Sequence, residues 1–587
     1  MELLQRYLPF TDLRGYGRSD LGADLGAALA VTFLCIPQGI AYALIAGLPP
    51  AMGLYAAAIP AVVASLFRSS RHLVAGPTNA VSLLVGSAFA AGMSEDPAAV
   101  AVTLALMVGV LQLSAGILRL GSLVDFISGA VVQGFVTGAA ILIGVGQLAH
   151  ATATPQTSGA MPLRVVEWLG GLGAADPLSL AIALGTAAMI VALKHFLPRA
   201  PAAILALGMA TAVAMVLGGS TLRTVADLAP IASTLPPLTT PSMGLIPGLI
   251  PLAIAVMVLA MVESTSVARD IATRSGQRLD LSVEFSGEGL GNLMAAFFGG
   301  YPITGSLSRS ALNEREGART RLAGVIGGLL VLVSPVALGP ALGHIPIAAL
   351  AGLLIVIAVR LIHVREIRAT LASHSSDKLA FLGTLGGTFL LHLDQAIYLG
   401  VGISLVLVLR RARLLRFRDL AIDAQGRIRE VARRVRGVSA PLPDGVRYCQ
   451  SVHVLNVEGS LFFAAAGELQ LAVQDILRSE HIQVLILRLK RVRNLDVTSV
   501  RELVNIAATM RSRGGRLVLV GLSAGSVGFL QRTGIADALG SENLFAQRED
   551  DHWWAALEDA LRVGLRDIGE HGCAGTCPYD EWLVERR

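Results

Sequence analysis

Apolar runs separated by short polar turns follow one another from about Leu25 to about Leu409. A helix that crosses a membrane needs about 20 predominantly apolar residues. The runs predict fourteen spanning or near-spanning helices, at 25–46, 52–67, 75–91, 98–118, 127–148, 177–196, 201–218, 244–268, 284–299, 304–314, 320–341, 346–362, 378–391 and 395–410. The third and the tenth are short and carry Gly or Pro near their start.

Basic residues between the runs indicate an orientation, because Lys and Arg concentrate in the cytoplasmic loops of membrane proteins. If the N-terminus is cytoplasmic, the outer side receives Arg164 and Arg223. The inner side then receives Arg68, Arg71, Arg119, Lys194, Arg199, Arg269, Arg274, Arg278, Arg315, Arg319, Arg321, Arg360, Arg365, Arg368 and Lys378. We therefore expect a multi-pass protein of the cell (inner) membrane with both ends in the cytoplasm.

The pattern changes after Leu409. The stretch RRARLLRFRDL is a basic cluster that suits anionic lipid headgroups. From about Tyr448, strand patterns such as QVLILRL alternate with helical patterns such as ELQLAVQDILRS, which is typical of a soluble α/β domain. The predicted division is a cytoplasmic N-terminal segment (1–24), a transmembrane region (25–410), a basic linker (411–447), a cytoplasmic α/β domain (448–566) and a C-terminal tail (567–587).

Composition supports a membrane protein and excludes several functions. The chain is 53% hydrophobic and 15% charged, whereas soluble proteins are about 45–50% apolar and about 25% charged. A net charge of +5 gives no reason to expect a nucleic-acid partner. The sequence has no Gly-Lys dipeptide, so the phosphate-binding loop of an ATP-driven pump is absent, and no HExxH or nucleophile-elbow motif indicates an enzyme. His571, Cys573 and Cys577 are too few ligands for zinc, so we expect neither metal nor cofactor.

The two short runs occupy matching places when the region is divided into halves, about 25–218 and 244–410. Both contain helix breakers followed by small polar residues, in HLVAGPTNAVSLLVG (His72–Gly86) and GGYPITGSLSRSALN (Gly299–Asn313). Broken helices at corresponding positions are typical of inverted-repeat transporters. Helix N-termini that meet inside a membrane favour an anion, and Arg309 adds a full positive charge. The pattern predicts an anion site.

Glu263 is a second ionisable residue inside a predicted span, and such a residue is a functional hypothesis by default. It could neutralise Arg309 in a structural pair. It could instead take up a proton as the site opens to each side of the membrane. Glu284 and Asn292, near the start of the ninth span, are interpreted as helix-packing contacts.

Four stretches resemble the sulfate permease (SulP) family of anion transporters. They are IPQGIAYALIAGLPPAMGLYAA (Ile36–Ala57), SSRHLVAGPTNAVSLLVG (Ser69–Gly86), MVESTSVARDIA (Met261–Ala272) and GNLMAAFFGGYPITGSLSRSALNEREGARTRLAG (Gly291–Gly324). The resemblance implies an α-helical polytopic membrane protein with 14 transmembrane segments in a 7+7 inverted repeat, formed by core and gate domains. It also implies a homodimer and a C-terminal cytoplasmic α/β STAS domain.

The resemblance also implies a substrate site between the third and tenth spans. Carried over by position, its residues are Gln38, Tyr42, Thr78, Asn79, Ala80, Gly305, Ser306, Leu307, Ser308 and Arg309. In this reading the amide of Gln38 and the hydroxyl of Ser308 donate hydrogen bonds, and Tyr42 forms an apolar wall. Animal exchangers of the family often have Phe where this chain has Thr78. The smaller, polar side chain of Thr78 leaves more room for a larger anion, which favours a dicarboxylate.

Bacterial members of the family carry sulfate, bicarbonate or C4-dicarboxylates such as fumarate and succinate. Sodium-coupled bicarbonate carriers usually have Asp in place of Glu263 and lack the Ser308–Arg309 pair. We therefore expect a secondary transporter of small anions that uses proton symport and an elevator-like alternating-access mechanism. The alternatives are an uncoupled anion exchanger or channel, a sodium-coupled bicarbonate transporter, and a membrane sensor that binds without transport.

In the α/β domain, NLDVTSVREL (Asn494–Leu503) resembles the loop that carries the phosphorylated Ser of anti-sigma antagonists. Thr498 would be the modified hydroxyl. The alternative is that Asp496 and Thr498 only cap the following helix, since both residue types suit helix N-termini. The domain could bind a cytoplasmic regulatory protein.

Overall fold

The computed structural model of the chain contains two compact units, Met1–Leu405 and Val406–Arg587. The structure describes residues 16–90, 96–155, 161–197, 200–217, 222–229, 234–432, 445–449, 451–479, 482–493, 495–547, 554–568 and 577–584.

Each of the fourteen predicted apolar runs contains one principal helix in the described residues. The helices are α1 (Arg18–Ile45), α2 (Pro50–Phe67), α3 (Asn79–Ala90), α4 (Pro97–Ile117), α5 (Gly129–Gly146), α6 (Pro177–Phe196), α7 (Ala202–Leu217), α8 (Ile246–Ser275), α9 (Leu281–Phe297), α10 (Leu307–Arg315), α11 (Leu322–Gly343), α12 (Ile347–Leu361), α13 (Ser375–Leu390) and α14 (Leu393–Ala412). Nine helical segments of the described part are long and apolar enough to cross a membrane. The count of fourteen spans therefore stays a prediction.

The helices differ in two respects from those predicted by the apolar runs. Helix α1 begins at Arg18 rather than at the predicted edge of 25, because Asp20 accepts a hydrogen bond from Gly17 N at 2.9 Å and pairs with Arg319 at 2.8 Å. Two additional helices of nine or more residues, Met161–Gly171 and Val364–Ala372, contain charged residues that hide them from a search for apolar runs.

Helices α4 and α9 cross at very short range. A Cβ atom on Gly109 of α4 would lie 2.7 Å from Leu293 N, and one on Gly289 of α9 would lie 2.5 Å from Leu113 N. Only glycine allows the two backbones to approach this closely. The crossing brings polar side chains of the two helices into contact inside an otherwise apolar core.

The two short runs have the same backbone plan. Strand β1 (Ala75–Gly76) precedes α3, and strand β2 (Thr304–Gly305) precedes α10. The strands pair antiparallel, with Ala75 opposite Gly305 and Gly76 opposite Thr304. Each of the two predicted helix breaks is therefore a short extended stretch that leads into a helix, and the pairing joins the two helix N-termini.

The second unit is built on a six-stranded sheet of order β4-β3-β5-β6-β7-β8. Its strands are β3 (Arg416–Ile422), β4 (Ile428–Ala432), β5 (Val452–Ser460), β6 (Val484–Arg493), β7 (Arg516–Leu522) and β8 (Leu544–Ala546). Its helices are α15 (Phe463–Ser479), α16 (Val497–Ser512), α17 (Ala524–Arg532), α18 (Ile535–Leu539), α19 (Ala555–Ile568) and α20 (Pro578–Val584). Strands β5 to β8 are parallel, as expected where helices connect them.

The stretch predicted as a basic linker (411–447) is partly folded into this sheet. Strands β3 and β4 form an antiparallel hairpin whose first strand pairs with β5. Leu420 and Ile422 are each only 1% exposed, so the alternate apolar positions of RFRDLAI face a core. Arg416 and Arg418, earlier in the same strand, obscure this pattern. Residues 433–444 of the predicted linker lie outside the described part of the chain.

Candidate anion-binding site

Arg309 is fully buried at the paired helix ends. It lies on the first turn of α10, where Nε donates a hydrogen bond to Gln38 Oε1 at 3.3 Å and Nη2 donates one to the Pro77 carbonyl. Its Nη1 has no hydrogen-bond partner among the described residues. A Cβ atom on Gly76 would lie 1.9 Å from this Nη1, so the guanidinium occupies the space that glycine leaves free. The cation is held in place, and the structure records no ion pair between it and any described carboxylate.

The segments on both sides of Arg309 are fixed by bonds to the first half of the unit. Ser306 N donates to Val74 O at 3.0 Å, and Val74 N donates to Ser310 Oγ at 2.8 Å. One turn later, Asn313 Nδ2 donates to His72 O at 3.1 Å. The first-turn N–H groups of a helix have no intrahelical partner, so this fixed helix end can donate to an anion.

A cavity of about 1260 Å³ borders the paired helix ends. Among its lining residues are seven of the ten predicted site residues, namely Gln38, Tyr42, Thr78, Asn79, Ser306, Leu307 and Ser308. The other three, Ala80, Gly305 and Arg309, are not part of this lining. Arg309 instead lies behind the wall and is linked to it through Gln38.

Glu263 lines the same cavity from α8. Its Oε2 accepts a hydrogen bond from Thr78 Oγ1 at 3.1 Å. Both Glu263 and Arg309 are described, and the structure records no ion pair between them. Of the two interpretations of Glu263, a direct structural pair with Arg309 is therefore not formed here, and the carboxylate faces the space beside the anion site.

A buried polar network that the sequence analysis missed supports β2. Asn292 of α9 accepts from Ile303 N at 2.8 Å through Oδ1 and donates to Ile303 O at 3.1 Å through Nδ2. Asn292 therefore does more than pack the helix, because it holds the chain just before β2. On α8, Ser264 Oγ accepts from Gly305 N at 2.7 Å and is hydrogen-bonded to the Glu288 carboxyl.

A periodic signal for this network was present in the sequence. Glu284, Glu288 and Asn292 are spaced by four residues in VEFSGEGLGN, so they lie along one face of α9. Three polar residues on one face of an apolar helix indicate a polar partner on a neighbouring helix. The partner of Glu288 and Asn292 is Gln112 of α4, whose Nε2 donates to Glu288 Oε1 at 2.9 Å and whose Oε1 accepts from Asn292 Nδ2 at 2.7 Å.

Glu284 has a different partner from Glu288. Arg68 Nε lies 3.9 Å from Glu284 Oε2, and both side chains are almost completely buried. Arg68 Nη1 also donates to Leu73 O at 3.1 Å, and Ser70 N donates to Glu284. The pair fixes the loop that leads into β1.

In the second unit, Thr498 is exposed on the first turn of α16. Asp496 caps this helix by accepting from Ser499 N at 2.8 Å, and it also accepts from Phe463 N at 2.7 Å. Burial acts to raise the pKa of Asp496, but these hydrogen bonds outweigh it and hold the pKa below its usual value. Asp496 alone accounts for the observed cap, so the modification of Thr498 stays a prediction.

The cysteines of the C-terminal part can be placed only in part. Cys577 Sγ lies 3.5 Å from Cys449 Sγ. Cys573 and His571 lie outside the described residues. In the part of the chain that the structure describes, no group of three or more His, Cys, Asp or Glu side chains is arranged to hold a metal ion.

The fold is that of a polytopic membrane transporter. The "Sulfate permease family" model matches residues 21–384, and the "STAS domain" model matches residues 446–550. The chain belongs to the sulfate permease family and carries a C-terminal STAS domain.

Individual proteins agree with this assignment. YvdB of Bacillus subtilis is 28% identical over 92% of this chain and 98% of its own. Sulfate transporter 4.1, chloroplastic, of Arabidopsis thaliana is 28% identical over 93% of this chain and 80% of its own.

Solved structures have the same fold. The murine Slc26a9 anion transporter in the inward-facing state matches with a TM-score of 0.83 at 19% identity, covering 96% of this chain and 94% of its own. The transmembrane domain of the cyanobacterial bicarbonate transporter BicA matches with a TM-score of 0.57 at 23% identity, covering 67% of this chain and 98% of its own.

Proposed function

We propose that this protein is a secondary active transporter of small anions such as sulfate, a C4-dicarboxylate or bicarbonate. The observation that carries the proposal is Arg309, which is fully buried at two paired helix N-termini and forms no ion pair with any described carboxylate. A buried charge is unfavourable unless it is paired. An anion beside Gln38 and the first turns of α3 and α10 would provide the missing negative charge.

The anion is recognised at one wall of the cavity. The cavity is much larger than the proposed anions, so its polar wall, with Gln38, Thr78 and Ser308, selects the ligand by hydrogen bonding. Arg309 acts from behind this wall through its charge and through its hydrogen bond to Gln38. Electrostatic attraction by a buried charge such as Arg309 is stronger than it is in bulk water.

The proposed coupling is proton symport through Glu263. This carboxylate borders the cavity and is hydrogen-bonded to Thr78 at the N-terminus of α3, so a proton on Glu263 and an anion at the helix ends would affect each other's binding. Movement of the core against the gate would then expose the loaded site to either side.

The remaining assignments follow the same proposal. The protein would lie in the cell (inner) membrane, with its N-terminus and STAS domain in the cytoplasm, and would act as a homodimer. The STAS domain would bind a cytoplasmic regulatory protein, and Thr498 offers an exposed hydroxyl for modification.

The test is uptake of labelled sulfate, fumarate, succinate and bicarbonate into proteoliposomes with and without an inward proton gradient. We expect the gradient to stimulate uptake of one anion, and we expect Glu263→Gln to abolish the stimulation. Glu167→Gln removes an exposed carboxylate that does not line the cavity, and it serves as the matched control. Uptake that changes neither with the proton gradient nor with Glu263→Gln would indicate an uncoupled exchanger or channel. Sodium-stimulated bicarbonate uptake would support a sodium-coupled carrier.

A further inference from the structure

Glu288 is a buried acid for which the proposed transport mechanism has no use. It is 1% exposed on α9, and the structure records no ion pair between its carboxyl and any described cation. Gln112 Nε2 donates to its Oε1 at 2.9 Å, and its Oε2 is hydrogen-bonded to Ser264 Oγ. Its two closest side-chain partners are therefore neutral.

The hydroxyl protons around Glu288 can be counted. Glu288 contacts Ser264 Oγ, Ser264 Oγ lies 3.0 Å from Thr304 Oγ1, and Thr304 Oγ1 donates to Ala260 O at 2.9 Å. Each of these three contacts needs one proton between its two oxygen atoms. Ser264 and Thr304 supply one hydroxyl proton each, and the Ala260 carbonyl supplies none. For all three contacts to be hydrogen bonds, the third proton has to come from the Glu288 carboxyl.

We infer that Glu288 is a neutral carboxylic acid whose proton positions β2, and with it the anion-binding end of α10. In this arrangement Glu288 Oε2–H donates to Ser264 Oγ, Ser264 donates to Thr304, and Thr304 donates to Ala260 O. Ser264 Oγ then still accepts from Gly305 N at 2.7 Å, which ties β2 to α8.

The charges around Glu288 agree with this assignment. Arg68, directly after α2, and Glu284 on α9 are within electrostatic range, and so is Glu263 on α8. The positive charge of Arg68 already faces Glu284. An ionised Glu288 would add a negative charge to a buried region that already contains the carboxyls of Glu284 and Glu263, which is strongly unfavourable.

Loss of the proton would break the chain at its first link. Ser264 would then donate to the carboxylate, and its contact with Thr304 would compete with the bond from Thr304 to Ala260 O. Because Thr304 and Gly305 form β2, the strand that precedes α10 would lose part of its support. Glu288 is thus a positioning residue for the anion site.

Infrared spectroscopy tests the proton directly. The purified full chain is measured in a Glu263→Gln background, so that the proposed coupling carboxyl does not contribute. We expect a C=O stretching band of a protonated carboxylic acid that Glu288→Gln removes and that Glu284→Gln leaves in place. Absence of the band, or its loss with Glu284→Gln instead, would overturn the inference. This readout does not depend on transport.

A pair of variants tests the positioning role in the otherwise wild-type chain. Glu288→Gln can still donate to Ser264 and accept from Gln112, so uptake should stay within about twofold of wild type. Glu288→Met keeps a similar volume without hydrogen bonds and should lower kcat/KM for the transported anion by about tenfold or more. Equal loss in both variants, or no loss in either, would contradict the role.

The transport readout rests on the proposed function, whereas the infrared band and thermal unfolding do not. If no tested anion is transported by the wild type, Glu288→Gln should still unfold at a temperature near that of wild type, and Glu288→Met should unfold at a lower one. Failure of the function can thereby be distinguished from failure of the inference.

Discussion

The two interrupted helices have matching backbones and different chemistry. In each half a two-residue strand leads into a helix, and the two strands pair with each other. The first interruption provides a carbonyl at Pro77 and a hydroxyl at Thr78, without any charge. The second provides Ser306, Ser308 and the buried cation Arg309.

Each interruption is completed by a residue of the opposite half. Arg309 of the second half donates to Pro77 of the first, and Thr78 of the first half donates to Glu263 of the second. The repeated backbone therefore supplies two helix ends that point at one place. The side chains differ between the halves and have different roles. Arg309 in the second half supplies the cation, and Thr78 in the first half is the partner of the proposed coupling carboxylate, Glu263.

The largest effect is expected when Arg309 is replaced, because its charge distinguishes the second interruption from the first. Arg309→Gln should lower kcat/KM for anion uptake by about 10²–10³-fold, because a preorganised donor and a full positive charge are removed together. Uptake into proteoliposomes measures this. Arg274→Gln, which removes an exposed ion pair with Asp270 and Glu314, is the matched control and should stay near wild type. An active Arg309→Gln would mean that the two helix ends suffice.

The next effect concerns the glycine of the first interruption that makes room for the cation of the second. Gly76→Ala places a Cβ 1.9 Å from Arg309 Nη1 and should lower uptake about tenfold to a hundredfold, since a shift of about 1 Å at a site can cost that much. Gly185→Ala adds a methyl group with nothing within 4 Å and is the control. Normal uptake and normal substrate affinity in Gly76→Ala would show that the position of Arg309 is unimportant.

A substitution at Thr78 tests the proposed role of the uncharged first interruption in proton coupling. Thr78→Val removes the hydrogen bond to Glu263 and should reduce proton-stimulated uptake about tenfold, because hydrogen bonds to charged groups contribute about 1.5–3 kcal/mol. Thr78→Ser retains the hydroxyl and should retain the stimulation. If the proton gradient stimulated uptake equally in Thr78→Val and wild type, Thr78 would have no role in proton coupling.

The smallest expected effect is on the bonds that join the two segments. Ser310→Ala leaves the buried Val74 N–H without its acceptor and should lower the free energy of unfolding by about 1–3 kcal/mol. Uptake by the folded protein should change by only about twofold. Thermal unfolding in detergent measures the first value. Ser266→Ala, on a cavity-lining residue with no recorded hydrogen bond, controls for removal of a hydroxyl.

Much of the fold could be predicted because its signals are local. Apolar run length predicted a helix in each of fourteen places, and Gly and Pro predicted both interruptions. Seven of the ten predicted site residues line the cavity. Local charge also misled, since the Arg residues of β3 hid a strand whose Leu420 and Ile422 are buried.

The sequence by itself determined that the chain enters a membrane, where its helices break, and that a cation lies at one of the breaks. These properties depend on residues within one or two helical turns of each other. Tertiary structure alone decided which polar groups meet. Arg309 reaches Gln38 across 271 positions of sequence, and Glu263 contacts Thr78 rather than the cation. Such contacts depend on how closely packed helices approach, and two helices with the same apolar pattern can pack in many registers.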